Sequence, residues 1–324
     1  MAAFNPARQR FGRRVTVTLT DTANPVPIKV IDGYDGQLGG VRISFRVECR
    51  ITPVADTATV RIYNLSPASR GALAQRSLAF VRRAPVRYVQ IEAGYEQSMG
   101  IIFKGALLRC FNKREGPDWI TEMELNTSFG QALLNDVQQS WTSPVGVPVR
   151  RILVELFTKA GFRDVKFSPT AERVLAGVVR VEYVASKSAL EEAKRLLDSI
   201  TEAKLTLSID LNTVIIMEIG APKDGSILVL SESSGLVGSP KVKDMGVEFR
   251  SLLDPRLRPG QLVELHSQTL KESLINSSIG SGLVLWGVTY SGDTHGNDWY
   301  CDADSWFFPP LFESALVGGI GAPR

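Results

Sequence analysis

The segment GALLRCFNKREGPDWITEMEL (Gly105–Leu125) contains a strand, a polar hairpin loop and a return strand that begins at Trp119. A segment near the other end of the chain, GVTYSGDTHGNDWY (Gly287–Tyr300), follows the same order. Both loops close on Gly-x-Asp-Trp, in which glycine and aspartate favour the turn and tryptophan opens a strand where it can pack. Each hairpin also follows a similar strand, Tyr88–Ala93 or Gln261–His266. The repetition predicts two similar β domains, although unrelated hairpins with the same turn chemistry remain an alternative.

Alternation of polar and apolar residues predicts further strands around both hairpins, since a period of two is typical of a half-buried strand. In the first part of the chain the predicted strands are Arg14–Leu19, Val41–Cys49, Thr57–Leu65, Tyr88–Ala93, Gly100–Leu108 and Trp119–Leu125. In the last part they are Val242–Leu252, Gln261–His266, Gly282–Ser291 and Trp299–Ala303. Ser66 and Pro67 are typical of a helix start, so a short helix is expected from Pro67 to about Gln75.

The middle of the chain is predicted to form a compact α+β unit. Apolar residues at helical spacing predict a helix over Val147–Ala160, with Gly161 as its stop signal. A second helix is expected to begin at Ser188, whose spacing to Glu191 is that of a capping box. The unit is completed by two predicted strands, Lys204–Ile209 and Thr213–Ile219.

The composition is that of a globular protein of two or three domains: 324 residues, 44% apolar and 22% charged. The net charge of +3 is too small to predict a dedicated nucleic-acid-binding protein. No apolar segment follows the N-terminal arginines and no run of about 18 apolar residues occurs, so neither a signal peptide nor a membrane span is predicted. The cysteines are few, odd in number and far apart (Cys49, Cys110 and Cys301). This pattern predicts free thiols and synthesis in a cytoplasm.

Four arginines lie close together near the N-terminus: Arg8, Arg10, Arg13 and Arg14. Arginines can bind phosphates. No interleaved aromatic residues and no recognised nucleic-acid-binding fold accompany them, which favours a solvated arm or an arm that contacts another subunit.

The two histidines are the first places to look for catalysis, because any Ser-His-Asp or Cys-His site needs one of them. His266 lies in an alternating strand, which favours a packed or surface side chain. His295 lies near Asp293 and Asp298, so a general base or a metal site is conceivable there. A polar hairpin tip is the favoured interpretation.

Other signals of catalysis are missing from the sequence. The cysteines have no zinc-site spacing, and the sequence contains no phosphate-binding loop, no G-x-S-x-G and no H-E-x-x-H. The glycine clusters Gly235–Gly238 and Gly280–Gly282 lack the strand and helix that a phosphate loop needs. Glu191 and Glu192 are expected to be solvated on a helix surface. We therefore predict no catalytic, cofactor-binding or metal-binding residues and no cofactor, which describes a non-enzymatic protein.

Several segments resemble the baseplate hub proteins of contractile-tailed bacteriophages, a family related to tail-tube and late-control proteins. They are Val41–Leu73, Gly105–Leu125, Gly246–Ser267 and Ser291–Ser305, with Ala189–Gly220 similar to the small α+β domain of such hubs. The matching segments are spread over most of residues 40–306. They are patterns of strands and turns, and none is an active-site motif.

The resemblance implies an α+β, β-dominated fold with two tail-tube-like β-barrel domains that flank a small α+β domain. The expected division is residues 1–135 for the N-terminal arm and first barrel, 136–222 for the α+β domain, 223–308 for the second barrel and 309–324 for a C-terminal tail. Three chains would then form a ring of six barrels around a channel, which matches a sixfold tail tube to a threefold central spike. The tail would reach the spike or a neighbouring subunit.

The partners implied are other copies of the chain, a tube or tube-initiator protein, the central spike and, further, tape-measure and baseplate wedge proteins. DNA would pass as transient cargo, and the location would be the tail baseplate of a virion assembled in the host cytoplasm. Two alternatives stay open. One is a tail-associated cell-wall hydrolase, which would need two opposed carboxylates. The other is a sixfold tube-initiator or distal-tail protein.

Overall fold

The computed structural model describes residues 12–21, 24–34, 40–51, 56–74, 87–127, 136–162, 164–200, 204–211, 213–269 and 281–307. Strands account for 61% and helices for 16% of the structure, which confirms the β-dominated α+β class. Arg8, Arg10 and the C-terminal segment 309–324 lie outside the described residues, as does Gln75. Among the described residues, no helix combines the length and apolarity needed to cross a bilayer.

The first part of the chain contains seven strands and one helix within the described residues. The strands are β1 (Arg13–Asp21), β2 (Asn24–Tyr34), β3 (Ile43–Arg50), β4 (Thr57–Tyr63), β5 (Arg87–Tyr95), β6 (Ser98–Glu115) and β7 (Asp118–Asn126), and the helix is α1 (Pro67–Ala74). Every strand predicted from alternation in this part is present. β2 was missed.

The middle part mixes helices and short strands, as predicted. Its helices are α2 (Val149–Lys159), α3 (Pro169–Leu175) and α4 (Ala189–Asp198), and its strands are β8 (Gln139–Pro148), β9 (Asp164–Phe167), β10 (Val179–Ala185), β11 (Leu205–Asp210) and β12 (Thr213–Glu218). Apolar side chains between Val137 and Ile216 form a core of their own. The side chain of Ser188 accepts a hydrogen bond from the Glu191 amide, so the predicted start of α4 is confirmed.

The last part of the chain is again made of strands. They are β13 (Ile227–Ser231), β14 (Leu236–Lys243), β15 (Gly246–Leu252), β16 (Leu262–His266), β17 (Ser281–Asp293) and β18 (Trp299–Phe307). The prediction of one strand over Val242–Leu252 was wrong, because the chain turns back at Asp244 and Met245 and forms the β14–β15 hairpin.

Strands from both ends of the chain belong to one 13-stranded sheet. Its order is β14-β15-β18-β17-β3-β4-β7-β6-β5-β1-β2, with β16 paired to β17 and β13 paired to β16. The pairing of β17 with β3 joins the two sets of strands. Among the described strands the two ends of this order, β14 and β2, do not pair, so the expected closed barrels are not confirmed. Apolar residues from both sets share one core on the buried face.

The two sets of strands have the same pairing order. The first set pairs in the order β3-β4-β7-β6-β5-β1, and the second pairs in the order β14-β15-β18-β17-β16-β13. One difference is that β1 is antiparallel to β5 whereas β13 is parallel to β16. The repetition suggested by the hairpins therefore extends over six strands.

Residue positions can be matched between the sets through a shared irregularity. β6 and β17 each carry one extra residue opposite their return strand, at Leu108 and at Trp286. Counting from these bulges makes Trp119 the counterpart of Trp299. Two further contacts agree: the amide of Asn64 donates to the Trp119 carbonyl at 2.7 Å, and the amide of Leu253 donates to the Trp299 carbonyl at 3.1 Å.

Candidate assembly surface

The outer face of the sheet is a continuous polar surface that crosses the boundary between the two sets of strands. Strand register places side chains from seven strands in one row: Leu252, Tyr300, Ser291, Arg46, Thr59, Glu124 and Arg109. A neighbouring row contains Arg250, Asp302, Thr289, Glu48, Thr57 and Asn126. Such a face, polar and without a catalytic pattern, is suited to contact with water or with another macromolecule.

Opposite charges on this face are paired. The ion pairs are Arg250–Asp302 at 2.6 Å, Arg46–Glu48 at 2.8 Å, Arg61–Glu122 at 3.1 Å, Lys113–Glu122 at 2.9 Å and Arg109–Glu124 at 3.6 Å. The Arg250 and Arg61 pairs occupy matching positions in the two sets of strands. The hydrogen bond from Arg250 to Asp302 raises the pKa of the guanidinium. Because these cations are paired with carboxylates, they are less available to bind a polyanion.

The two sets of strands meet where Ser44–Arg50 of β3 pairs with Gly287–Asp293 of β17, a junction that we call the closed seam. Behind it, Val47 and Tyr290 lie opposite each other and are fully buried. Phe45 packs edge-on against Trp299 with ring centroids 5.5 Å apart. It also fills the space above Gly292, where a Cβ atom would lie 2.4 Å from the ring. The closed seam is thus packed like a protein interior.

The end of the closed seam contains the predicted histidine hairpin. Asp293 ends β17, and its carboxylate receives hydrogen bonds from Arg42 at 2.8 and 3.2 Å and from the His295 amide at 2.9 Å. Burial raises the pKa of Asp293, but the hydrogen bond from Arg42 and the other donors lower it overall. The ring of His295 lies 3.0 Å from Thr294, at the tip of the hairpin. Asp298 lines the same shallow depression as Asp293. The bonds between Arg42 and Asp293 hold the hairpin against the start of β3.

The remaining candidates from the sequence are dispersed. His266 is exposed and lies 2.8 Å from Glu264 on the same strand. The three cysteines are buried, and burial raises the pKa of the Cys49 thiol well above its usual range and that of Cys110 to about 11. Thiols with raised pKa values are poor nucleophiles at neutral pH. Within the described ranges, no group of three or more His, Cys, Asp and Glu side chains is arranged to hold a metal ion.

A buried ion pair was not found from the sequence. Arg258, in the loop between β15 and β16, bonds to Asp210 at the end of β11 and donates to the carbonyl oxygen of Ile101 on β6 at 3.1 Å. Lys223 binds the same aspartate at 3.0 Å. Although burial lowers the pKa of Arg258 and raises that of Asp210, their mutual attraction reverses both shifts. One guanidinium therefore ties together all three parts of the chain.

A second buried carboxylate lies beneath the closed seam. Asp56, just before β4, accepts a hydrogen bond from the Arg50 amide at 3.1 Å. Burial raises the pKa of Asp56 to about 7, more than that hydrogen bond lowers it.

The expectation that Glu192 is solvated was wrong. Its side chain is fully buried at the start of α4, where it accepts hydrogen bonds from Tyr183 at 2.5 Å and from the amides of Ser186 and Lys187, each at 3.1 Å. Arg195 adds an ion pair at 2.7 Å. Burial raises the pKa of Glu192, and these donors lower it overall. The carboxylate fixes the entry to the helix, a structural role.

Comparisons with known proteins give one matching family. The family model described as baseplate hub gp41 matches residues 14–305. Curated proteins offer no match to this sequence.

Solved structures share the fold at very low sequence identity. The tail protein from Neisseria meningitidis MC58 is 7% identical, with a TM-score of 0.56 over 91% of this chain and 97% of that one. The 43 kDa tail protein of prophage MuSo2 from Shewanella oneidensis is 8% identical, with a TM-score of 0.55 over 91% and 98%. The E. coli c3393 protein, a component of the type VI secretion system, is 11% identical, with a TM-score of 0.52 over 90% and 76%.

Proposed function

The chain belongs to the baseplate hub gp41 family, and from that membership we propose that it is a non-enzymatic hub of a phage tail baseplate, assembled as a threefold ring with pseudo-sixfold symmetry. The ring would join the tail tube to the central spike and leave a channel for DNA or the tape-measure protein. Membership of the family makes the protein a structural component of a tail baseplate. The ring, its channel and its partners are the proposal.

The observation that carries the proposal is the repeated strand order joined into one sheet. A chain with two matching sets of strands, connected by the closed seam, presents two similar surfaces side by side. Three such chains present six, which is what a threefold spike and a sixfold tube require of the part between them. The proposed domain division, 1–135, 136–222, 223–308 and 309–324, follows the two sets of strands and the separate core of the middle part.

The polar outer face supports a role as channel wall. Several of its arginines and lysines, among them Arg61, Lys113 and Arg250, are paired with carboxylates, which leaves fewer free cations to bind a passing phosphate backbone. Tight binding would slow the passage of DNA, and a balanced surface avoids that.

Light scattering coupled to gel filtration tests the ring, on the purified chain alone and after addition of the cognate spike protein. We expect a mass three times the 35.5 kDa of one chain, at least when the spike is present. A mass six times that of the chain would favour the sixfold tube-initiator or distal-tail alternative. A chain that stays monomeric in both conditions would contradict the proposal.

The hydrolase alternative is tested on purified peptidoglycan. We expect no release of muropeptides by the hub. Release that disappears when a single acidic residue is replaced would establish catalysis and overturn the non-enzymatic assignment.

A further inference from the structure

β17 and β6 match in position, but an edge that is paired in β17 has no pairing strand in the corresponding part of β6 within the described residues. Beyond its bulge, β17 pairs with β3 over Gly287–Asp293. Counting from the bulge in β6 makes Arg109–Glu115 the matching segment. β5 pairs with β6 only up to Ala106, and no strand in the described part of the chain pairs with Arg109–Glu115 on the side away from β7. We call this edge the open seam.

The chain contains a second strand of the kind that covers the closed seam. In the closed seam the partner is β3, and the strand that matches β3 in the second set is β14. β14 pairs with β15 on one side and, among the described strands, with none on the other. Matching the register with β15 makes Val242 the counterpart of Val47, and Lys241 and Lys243 the counterparts of Arg46 and Glu48.

Apolar side chains are exposed along both of these edges. Trp299 is 1% exposed in the closed seam, whereas its counterpart Trp119 is 40% exposed. Val47 is fully buried, whereas its counterpart Val242 is 42% exposed. Phe111, on the open seam itself, is 39% exposed. Side chains at matching positions are therefore buried at the closed seam and exposed at the open seam and on β14. At the exposed positions a second chain would have to supply the covering strand.

Within one chain β14 and β6 do not pair, because six strands separate them in the strand order and the closed seam lies between them. We propose that β14 of one copy pairs antiparallel with Arg109–Glu115 of the next copy, in the register of the closed seam. This pairing sets Phe111 opposite Lys243 and Asn112 opposite Val242. The inference rests on the proposed ring, in which copies follow one another head to tail. It names the strand edges through which those copies join.

The proposed edges also carry features that restrain premature pairing. β14 contains Pro240, which has no amide to donate, and its lysines discourage contact with other strands. The register places Lys113 opposite Lys241, a pair of like charges that weakens the contact. Free chains are therefore expected to associate weakly until a further partner, such as the spike, holds them together.

Disulfide trapping tests the register directly. Chains carrying Phe111→Cys are mixed with chains carrying Lys243→Cys under mild oxidation, in the fraction whose mass corresponds to assembled chains. Opposed residues on antiparallel strands have Cα atoms about 4.5–5.5 Å apart, which suits a disulfide. The double variant Thr289→Cys with Glu48→Cys is the positive control, because those residues are opposed in the closed seam of a single chain.

A rival pairing joins the two ends of the strand order, β14 and β2. It is tested by mixing Lys243→Cys with Val30→Cys, since Val30 is an exposed residue of β2. We expect a disulfide-linked dimer from the Phe111 and Lys243 mixture and at least about tenfold less from the Val30 mixture, because a disulfide forms only between sites that lie close together.

The outcomes separate this inference from the ring. A ring of three chains without the Phe111–Lys243 disulfide, or with the Val30 disulfide in its place, overturns the pairing and leaves the hub intact. Absence of any assembly overturns both. Hydrogen exchange on the unmodified chain gives a second measurement: assembly should slow exchange in Arg109–Glu115 and Lys241–Lys243 by about tenfold or more and leave β2 unchanged, and unchanged exchange at both segments contradicts the pairing.

Discussion

The closed seam and the open seam share one strand pattern and differ in what covers them. In the closed seam Phe45 packs on Trp299 and fills the space above Gly292. At the matching position of the first set, Trp119 is instead covered on one face by the guanidinium of Arg70, 4.1 Å from the ring centroid, and remains partly exposed. The difference teaches that burial at a sheet edge is decided by the neighbour and not by the strand itself.

The connections that follow β4 and β15 differ in the same way. In the first set the connection begins with α1, which places the partly buried Arg70 cation over Trp119. In the second set it is the loop that buries Arg258 against Asp210. The second set is therefore bound to the rest of the chain by charge as well as by packing, and the first set keeps its outer edge accessible.

The largest expected contrast is between the two tryptophans. Trp299→Ala should lower the free energy of unfolding by about 3–5 kcal/mol, because it leaves a cavity beside Phe45. Trp119→Ala should cost less than about 1 kcal/mol in the isolated chain. Urea unfolding followed by circular dichroism measures both, and equal losses would show that the two seams are packed alike.

A somewhat smaller contrast is expected for the two arginines. Arg258→Met should destabilise the chain by about 3 kcal/mol, because it leaves Asp210 buried with Lys223 as its remaining cation. Arg70→Met should cost about 1 kcal/mol, the value of a cation–π contact at a partly exposed site. Thermal unfolding of the two variants side by side provides the measurement. The buried ion pair would lose its assigned importance if both melted at the same temperature.

The connection between β3 and β4, which contains Asp56, should make stability depend on pH more strongly than the matching exposed turn between β14 and β15. The folded-state pKa of Asp56 is raised by burial to about 7, so its contribution to stability is fully present below its unfolded pKa near 4 and is lost as the pH rises towards 7. Asp56→Asn should therefore gain roughly 3 kcal/mol over the wild type between pH 4 and pH 7.

Asp244→Asn, in the exposed turn between β14 and β15, is the matched control for Asp56→Asn. Its stability should follow that of the wild type across the same pH range. Urea titrations at several pH values measure both variants, and parallel curves for Asp56→Asn and the wild type would refute the assignment of the raised pKa.

The smallest effect on the free energy of unfolding is expected from the two ion pairs that occupy matching positions in the two sets of strands. Arg61→Ala and Arg250→Ala each remove one ion pair from the outer face, with Glu122 and Asp302 respectively. Each should cost about 0.5 kcal/mol, with less effect at high salt, because partly exposed ion pairs are weak. Unfolding at low and high ionic strength tests this, and a cost above about 2 kcal/mol for only one of them would break the correspondence between the sets.

Local patterns in the sequence were enough to predict most strands, both hairpins and the two longer helices. The missed elements have physical causes. β2 contains Pro25 and Pro27, which argue against a strand when no partner is known, yet β1 pairs with it along its length. The alternation of Met245, Val247 and Phe249 in β15 already begins inside the turn that follows β14, so two strands were taken for one.

The closed seam and the buried ion pair could not be predicted from one sequence. Arg42 and Asp293 are 251 positions apart, and Arg258 and Asp210 are 48 apart, so no local period connects them. Glu192 was assigned to solvent because charged residues on helices usually are solvated. The nearby Tyr183 and the two loop amides that bind it become neighbours only in the folded chain.

The covalent link between the two matching sets of strands has a consequence for counting. In the proposed ring, each chain brings one seam already made and one still to be made, so the assembly grows by two half-units at every addition. A ring with five positions is then excluded by the covalent structure of the chain, whatever the strength of its contacts. Because the two matching sets of strands are joined in one chain, the proposed ring always contains an even number of sets, whichever partner it binds.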